Sequence, residues 1–440
     1  MRKIVVAAIA AVFLTACAQQ GPNWEYLFNG HDLTGWSRVG GEMDFAVVDG
    51  VIVGTARYDT PNSFLRTDRE FGDFILEFEF KITGNLNSGV QFRSFQREGD
   101  GRVQGYQFEI DPIMERAWTG GIFDEARRGW LYPLTFNQKG RTAYKGDGVW
   151  NTGRLEAIGN SIRGWINGIP TCDLIDDMTP TGFIALQVHS INRGNPNRGI
   201  DGATASFRNI RILTEDLERW ATPQNNEIIQ INAIPNTLSE RELAEGWELL
   251  WDGKTTNGWH GRGITTFPEN GWVIEDGLLT IEPGNEHHIM TNRTFGNFWL
   301  TADFRITRGA SSGILYLTDA RGRGPEFQII DDVHHPRAYE KRTTGSLFEF
   351  IHAPDDKPII RWDTFNTAWI KVRGNHVEHW LNGVKLFSFE RNTPAWNEMV
   401  SHSRRSHVPD FGNLTQGHIL LQNSGSPVSF RNIKIKELNK

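Results

Sequence analysis

The segment Tyr106-Gln107-Phe108-Glu109-Ile110-Asp111-Pro112 sets two carboxylates two residues apart, and side chains two apart on a strand share a face. Together Glu109 and Asp111 could serve as general acid and base, or hold a hard divalent cation through oxygen. Downstream, Trp118-Thr119-Gly120-Gly121-Ile122-Phe123-Asp124-Glu125-Ala126-Arg127-Arg128-Gly129-Trp130 gathers two carboxylates, two guanidinium groups and two indoles beside a glycine pair. That composition suits the polar wall of a sugar pocket and, equally, a solvated loop with local ion pairs. His189 closes the apolar run from Gly182 to Val188; a lone histidine there usually serves as a structural hydrogen-bonder, although strand ends also mount reactive groups.

A second set lies far downstream. Glu326-Phe327-Gln328-Ile329-Ile330-Asp331 repeats the first strand pattern with Gln328 where Glu109 stands. Glu326 and Gln328 share a face, whereas Asp331, five residues on, does not on a regular strand. His334-His335-Pro336 and Glu378-His379-Trp380 follow, and a His-His pair without further ligands at fixed spacing is weak support for a metal site. No P-loop, dinucleotide fingerprint or Gly-x-Ser-x-Gly elbow occurs.

The elements that must position these groups occur twice. Trp24-Glu25-Tyr26-Leu27-Phe28-Asn29-Gly30 with Gly35-Trp36 returns 223 residues later as Trp247-Glu248-Leu249-Leu250-Trp251-Asp252-Gly253 with Gly258-Trp259, and Ser206 to Ile212 returns at Ser429 to Ile435 with the same offset. Between these ends the offset drifts from 215 (Asn167-Gly168 to Asn382-Gly383) to 235 (Gly182 to Gly417), as expected of unequal loops on one scaffold. So long a period is a duplicated domain, not a solenoid repeat. Phe74, Leu76, Phe78 and Phe80 alternate with Glu77, Glu79 and Lys81, and Phe298, Leu300, Ala302 and Phe304 alternate with Thr301, Asp303 and Arg305, which predicts half-buried antiparallel strands. Asp49-Gly50, Asp276-Gly277, Asn167-Gly168 and Asn382-Gly383 predict two-residue hairpins. The pattern is all-β, a sandwich or jelly roll. Ser239 followed by Glu242 predicts a capped helix ending near Gly246, within an ordered connector. The expected division is a signal segment at 1–17, a first sandwich at 24–213, a connector with a short helix at 214–245 and a second sandwich at 246–438.

Arg2-Lys3 followed by apolar residues from Ile4 to Leu14 and then Thr15-Ala16-Cys17 has the layout of an export signal, too short to span a bilayer permanently. Leu14-Thr15-Ala16-Cys17 resembles the bacterial lipoprotein box, in which the cysteine is lipidated, so the chain is expected to be membrane-anchored through Cys17 in the cell envelope. Removing Arg2 and Lys3 from the 46 Lys and Arg leaves 44 against 53 Asp and Glu, a net charge of about −9, which argues against nucleic acid as a partner. Cys172, the sole cysteine after Cys17, has no partner for an internal disulfide. With 16 Trp and 27 Phe, aromatic residues exceed what a core requires, and the surplus favours sugar stacking.

Both copies resemble the 3-keto-disaccharide hydrolase domain, a former domain of unknown function with a concanavalin A-like jelly roll. The resemblance rests on Leu27-Phe28-Asn29-Gly30 with Leu33-Thr34-Gly35-Trp36, Asn87-Ser88-Gly89-Val90, Asn167-Gly168, Leu186-Gln187 and Ser206 to Ile212. The first copy is similar to a branch carrying the run from Ala117 to Glu125 and Leu186-Gln187-Val188-His189. The second is similar to a branch with Glu326 to Asp331, His335-Pro336 and Val377 to Gly383. That branch usually ends Leu-Gln-Asp-His-Gly, whereas this chain has Leu421-Gln422-Asn423-Ser424-Gly425, which implies a second copy that binds without reacting. A likeness to laminarinase-type glucanases is weaker, because Glu115 falls one residue too far and Pro112 interrupts the strand.

The resemblance implies cleavage of glycosides oxidised at C3, by removal of the acidified C2 proton, loss of the C1 substituent and hydration. It implies Glu109, Asp111, Asp124, Glu125 and His189 for proton transfer or cation binding, Arg93 and Arg128 as oxyanion or substrate contacts, and Trp118 as a stacking platform. In the second copy it implies substrate contacts at Glu326, Asp331, His335, Glu378 and His379. A divalent cation is the cofactor the carboxylates could hold, and the expected partner is an oligosaccharide or glycoside. The rival reading is a pair of carbohydrate-binding modules without chemistry, in which duplication supplies avidity.

Overall fold

Every Asp-Gly and Asn-Gly pair singled out in the sequence makes its hairpin. A computed structural model describes residues 21–113, 117–195, 198–224, 226–284, 287–360 and 364–438, so the signal segment with Cys17, and Glu115, lie outside the described residues. Asp49 and Gly50 join Asp44–Val48 to Val51–Thr55 with φ of 49° and 74°, and Asn382 and Gly383 turn at 46° and 79°. Positive φ at both turn residues matches the right-handed twist of the paired strands.

Two sandwiches result. In the first, a larger sheet centred on Phe74–Ile82 and Thr204–Leu213 packs against a smaller one that runs Gly129–Tyr132, Ile122–Glu125, Val103–Ile110, Ser88–Gln96, Gly182–Val188, Ser63–Phe71, Trp36–Gly40. In the second, a larger sheet centred on Phe298–Ile306 and Val428–Glu437 packs against Trp259–Gly261, Ile289–Thr291, His418–Leu421, Ser311–Thr318 and Glu326–Ile330. Each encloses its own apolar cluster. The chain is thus two concanavalin A-like β-sandwiches in tandem, with few helices.

The duplicated motifs are explained by matching bonds. The Trp36 indole donates to the Leu27 carbonyl at 2.8 Å and that of Trp259 to Leu250 at 2.7 Å, tying the first segment of each copy to its sheet. Asn209 and Asn432 take φ of 51° and 50° at a strand irregularity, and each donates to a carboxylate of the neighbouring strand, Glu79 and Asp303, at 2.8 Å.

The connector is ordered. Ser239 caps Glu240–Ala244 with the full capping box, and Gly246 follows at φ 82°. Before it, Ile231–Asn232 adds a parallel strand beside Ile169–Ile175 of the first sandwich. Asn236 and Asn432 exchange side-chain to backbone bonds of 2.6 and 2.9 Å, and Lys434 meets Glu242 at 2.7 Å, so the second sandwich is held to the same segment. Among the described residues no helix is long and apolar enough to cross a membrane.

Candidate active site on two concave faces

Register decides which side chains share the outer face of the first small sheet. Gly89 pairs with Glu109, Gln91 with Gln107, Ala185 with Gln91 and Leu186 with Val90. Core packing takes Val90, Tyr106, Phe108, Leu186 and Val188, so the alternate residues face outward. Gln187, Gly89 and Glu109 therefore form one row across three strands, with His189, Asn87 and Asp111 in the next row, about 6.6 Å along the strands.

Glu109 is 4 % exposed and accepts from two neutral amides, Asn87 at 2.7 Å and Gln107 at 2.6 Å. Gln107 in turn accepts from Gln91 at 2.6 Å, and Gln91 from the Ser94 hydroxyl at 2.9 Å. Gly89 permits this chain, since a Cβ there would lie 2.5 Å from the Gln107 side chain. Gln187 is fully buried, and neither amide atom has a hydrogen-bond partner among the described residues. Such orphaned atoms cost about 1–3 kcal/mol each. His189 bonds through Nδ1 to the Ser190 carbonyl at 2.8 Å.

The other first-copy candidates disperse. Asp124 turns to the core side of its strand, where Arg127 and Arg128 hold it at 2.7 and 2.6 Å; Arg128 also grips Asp176 with two bonds, and the Tyr106 hydroxyl donates to Asp176. Burial and then the Asp176 charge push the Tyr106 phenol up to about 12, and the assembly is a structural ion network. Arg93 is 1 % exposed and clamps Gly72, Asp73 and Gly159, so it is no oxyanion contact. Glu125 does face outward, with burial pushing its carboxyl up, but it pairs with Gly105. Four residues separate that level from Glu109, about 13 Å. Carboxyl pairs that cleave one glycosidic bond stand about 5–9.5 Å apart, so these two do not share a bond. Trp118 packs edge-on against Trp130 at 4.3 Å and, with Arg128, lines a cavity between the sandwiches whose lining does not include Glu109.

In the second copy Gly313 pairs with Gln328, and Glu326 lies over it, its carboxylate 2.5 Å from where a Cβ would stand. Glu326 thus replaces Gln107, and Gln328 replaces Glu109. Around it on the same face sit Met290, Leu315 and Leu420, and this apolar burial pushes the Glu326 carboxyl up to about 8, with Glu349 adding to the rise and Arg405 opposing it. His379, by contrast, is a core residue between Phe327 and Phe387, bonded to the Tyr316 hydroxyl at 2.9 Å and the Gly345 carbonyl at 3.0 Å; burial lowers it to about 4. Glu378 lies on the outside of the opposite sheet beside Trp380. Asp331 is 2 % exposed and caps a turn, accepting from Gly309, Val333 and His334 backbone, while His335 accepts from Arg337 in a loop. Of the five second-copy contacts only Glu326 remains on the concave face.

A family model described as a 3-keto-alpha-glucoside-1,2-lyase-like domain matches residues 23–213 and again 246–436. The chain belongs to this family. A relative from Bacteroides thetaiotaomicron named 3-keto-disaccharide hydrolase is 29 % identical over 235 residues, covering 44 % of this chain and 80 % of that one. Two solved Parabacteroides distasonis proteins, each provisionally named a glycosyl hydrolase, are 32 % and 25 % identical, cover 47 % and 44 % of this chain and 100 % and 99 % of theirs, and superpose with TM-scores of 0.44 and 0.34.

Within the family frame, reading single motifs missed Gln91, Gln107 and Gln187. Their signal was present: Gln187 is two residues from His189, and Gln91 two from Gly89, so strand parity alone puts them on the same outward face. Among the described residues no three of His, Cys, Asp and Glu come together to hold a metal, so the cation suggested by Glu109 and Asp111 has no ligand set there.

Proposed function

We propose that the protein cleaves glycosides carrying a ketone at C3, and that the reaction occurs on the concave face of the first sandwich. The observation that carries this reading is Glu109, held by Asn87 and Gln107 in one row with the orphaned Gln187 amide. The family match in both copies supports the substrate class.

Glu109 removes the C2 proton. The C–H electron pair becomes the C2–C3 double bond of an enolate, and the charge passes to the C3 oxygen, where the Gln187 amide is placed to donate. Collapse of the enolate restores the ketone, forms a C1–C2 double bond and expels the C1 oxygen with its electron pair. His189, acting as the imidazolium, gives the proton to that leaving oxygen and becomes the neutral ring whose Nδ1–H still donates to the Ser190 carbonyl. Addition of water across C1–C2 completes a net hydrolysis. Lipidation of Cys17 would hold this chemistry at the envelope membrane.

The test is incubation of the purified protein with 3-keto-glycosides and the matching unoxidised glycosides, with and without chelator. Cleavage restricted to the ketone series, and lost in Glu109→Gln, is expected. Binding of the ketone series without its cleavage overturns the proposal in favour of the carbohydrate-binding module.

A further inference from the structure

Between the sandwiches lies a cavity of about 610 Å³, walled by the Gly129–Tyr132 strand, by connector residues 226–233 and by the outer face of the second large sheet. Its second-copy wall is the opposite sheet from Glu326, and its first-copy wall is the edge strand of the sheet that carries Glu109, where Trp130 stands two strands from Gln107; none of Glu109, Gln187 and His189 lines it. The two bodies are held around it by side-chain contacts. The Thr135 hydroxyl donates to the Asn382 carbonyl at 2.9 Å, and Phe136 packs on Trp369 at 5.6 Å and against Gly383.

Five indoles reach it. Trp118 and Trp130 come from the first sandwich, and Trp247, Trp299 and Trp369 from the second. Trp299 sits 5.5 Å from each of the other two, and its Nε1 is buried without a hydrogen-bond partner among the described residues. The four cations at the wall are all taken by carboxylates: Arg128 by Asp124 and Asp176, Arg241 by Asp173 and Glu245, Arg431 by Asp303, and Lys434 by Glu242. The site therefore offers no spare charge to an anion. It offers aromatic faces, an indole N–H and the polar edges of paired groups.

From this we infer that the cavity is a binding site for a neutral saccharide, separate from the reactive face and independent of the chemistry proposed at Glu109. A pyranose presents apolar C–H faces and a rim of hydroxyls, which matches indole walls with hydrogen-bonding edges. The volume falls in the range of about 300–1,000 Å³ common to small-molecule sites. Nucleotides, phosphates and sugar acids are disfavoured, because each would have to break an existing ion pair to be neutralised.

The experiment titrates the full chain with unoxidised trehalose, maltose and cellobiose, following tryptophan fluorescence and heat. At least one disaccharide is expected to bind and to shift the indole emission. Trp130→Ala removes one wall and Thr301→Trp fills the space from a strand that loses no packing; each should weaken binding about tenfold or more. Glu109→Gln should leave this binding unchanged. Thermal melts identify any misfolded variant, and if Trp130→Ala does not fold, Thr301→Trp decides. No indole response to any of the three sugars overturns the inference, as does binding that survives both cavity variants or that disappears with Glu109→Gln.

Discussion

The two concave faces share a scaffold to the level of individual bonds, yet place their acid differently. Ser88 donates to the Gln187 carbonyl at 2.7 Å and Ser312 to Gln422 at 2.6 Å, and each glycine that follows carries a long side chain lying over it. In the first copy that side chain is the neutral Gln107, which donates to Glu109. In the second it is Glu326 itself, among Met290, Leu315 and Leu420, while Gln328 spends its amide on the Ser312 and Ile329 carbonyls. Moving one carboxyl by one row changes its surroundings: two amide donors bond Glu109, whereas apolar burial pushes the Glu326 carboxyl up to about 8. His189 has Ser424 as its counterpart, so the second face has no imidazole there. Identical folds do not make equivalent sites, because reactivity follows the neighbours of each carboxyl.

The contrast is broken most directly at the bases. Glu109→Gln should lower turnover of a 3-keto-glycoside by about 10²- to 10⁴-fold, with His189→Ala toward the lower end, while Glu326→Gln leaves it nearly unchanged. Steady-state kinetics on the three variants checks this, and a loss confined to Glu326→Gln would reverse the assignment of the two faces. Next, Asp124→Asn should destabilise the first sandwich by about 1–3 kcal/mol, since Arg127 loses its carboxylate partner while Arg128 keeps Asp176, and the rate per folded molecule is kept. A melt compared with active-site-normalised kinetics separates that outcome from a direct role in catalysis.

The pH response of the second face is smaller. Glu326 is raised to about 8 when folded against 4.5 as its ordinary value, so the folded state holds the proton longer than the unfolded one. Stability is therefore lost as pH rises from about 4.5 toward about 8, by up to about 1.4 kcal/mol per unit. Glu326→Gln should flatten this decline, so that the gap in melting temperature between the variant and the parent grows from pH 5 to pH 8. A constant gap would place Glu326 in a wetter site than the structure gives it. The smallest effect compares equivalent turns. Gly168 and Gly383 have φ of 77° and 79°, but only Gly383 is crowded, with Phe136 2.4 Å from a Cβ position. Alanine at either costs about 1–2 kcal/mol of backbone strain, and Gly383→Ala should cost more because it also disturbs the packing between the sandwiches.

The sandwich architecture was legible because its signals are local. Strand alternation, Asp-Gly and Asn-Gly turns and the Ser239 capping box each act within a few residues, and the duplication doubled the signal. The site was legible only in part. Glu109 and His189 fall in adjacent rows of one outward face, but Asp124 and Glu125, adjacent in sequence, point to opposite sides of one strand and belong to different structures. Arg93 and His379 look reactive by type; their burial against Gly72, Gly159 and Tyr316 depends on residues far away in the chain. Trp118 and Arg128 were assigned to a sugar wall, and the wall they do line involves the second sandwich, which no local pattern announces.

The connector also sets an order of assembly. Ile231–Asn232 pairs with a strand ending at Ile175, already made when the connector appears, whereas Asn236 waits for Asn432 near the end of the chain. A chain delivered from its N-terminus can therefore finish the first sandwich and seat the connector on it before the second is complete. The later half then meets a preformed edge instead of a loose tether, which narrows the ways in which two such similar sequences can exchange strands with each other.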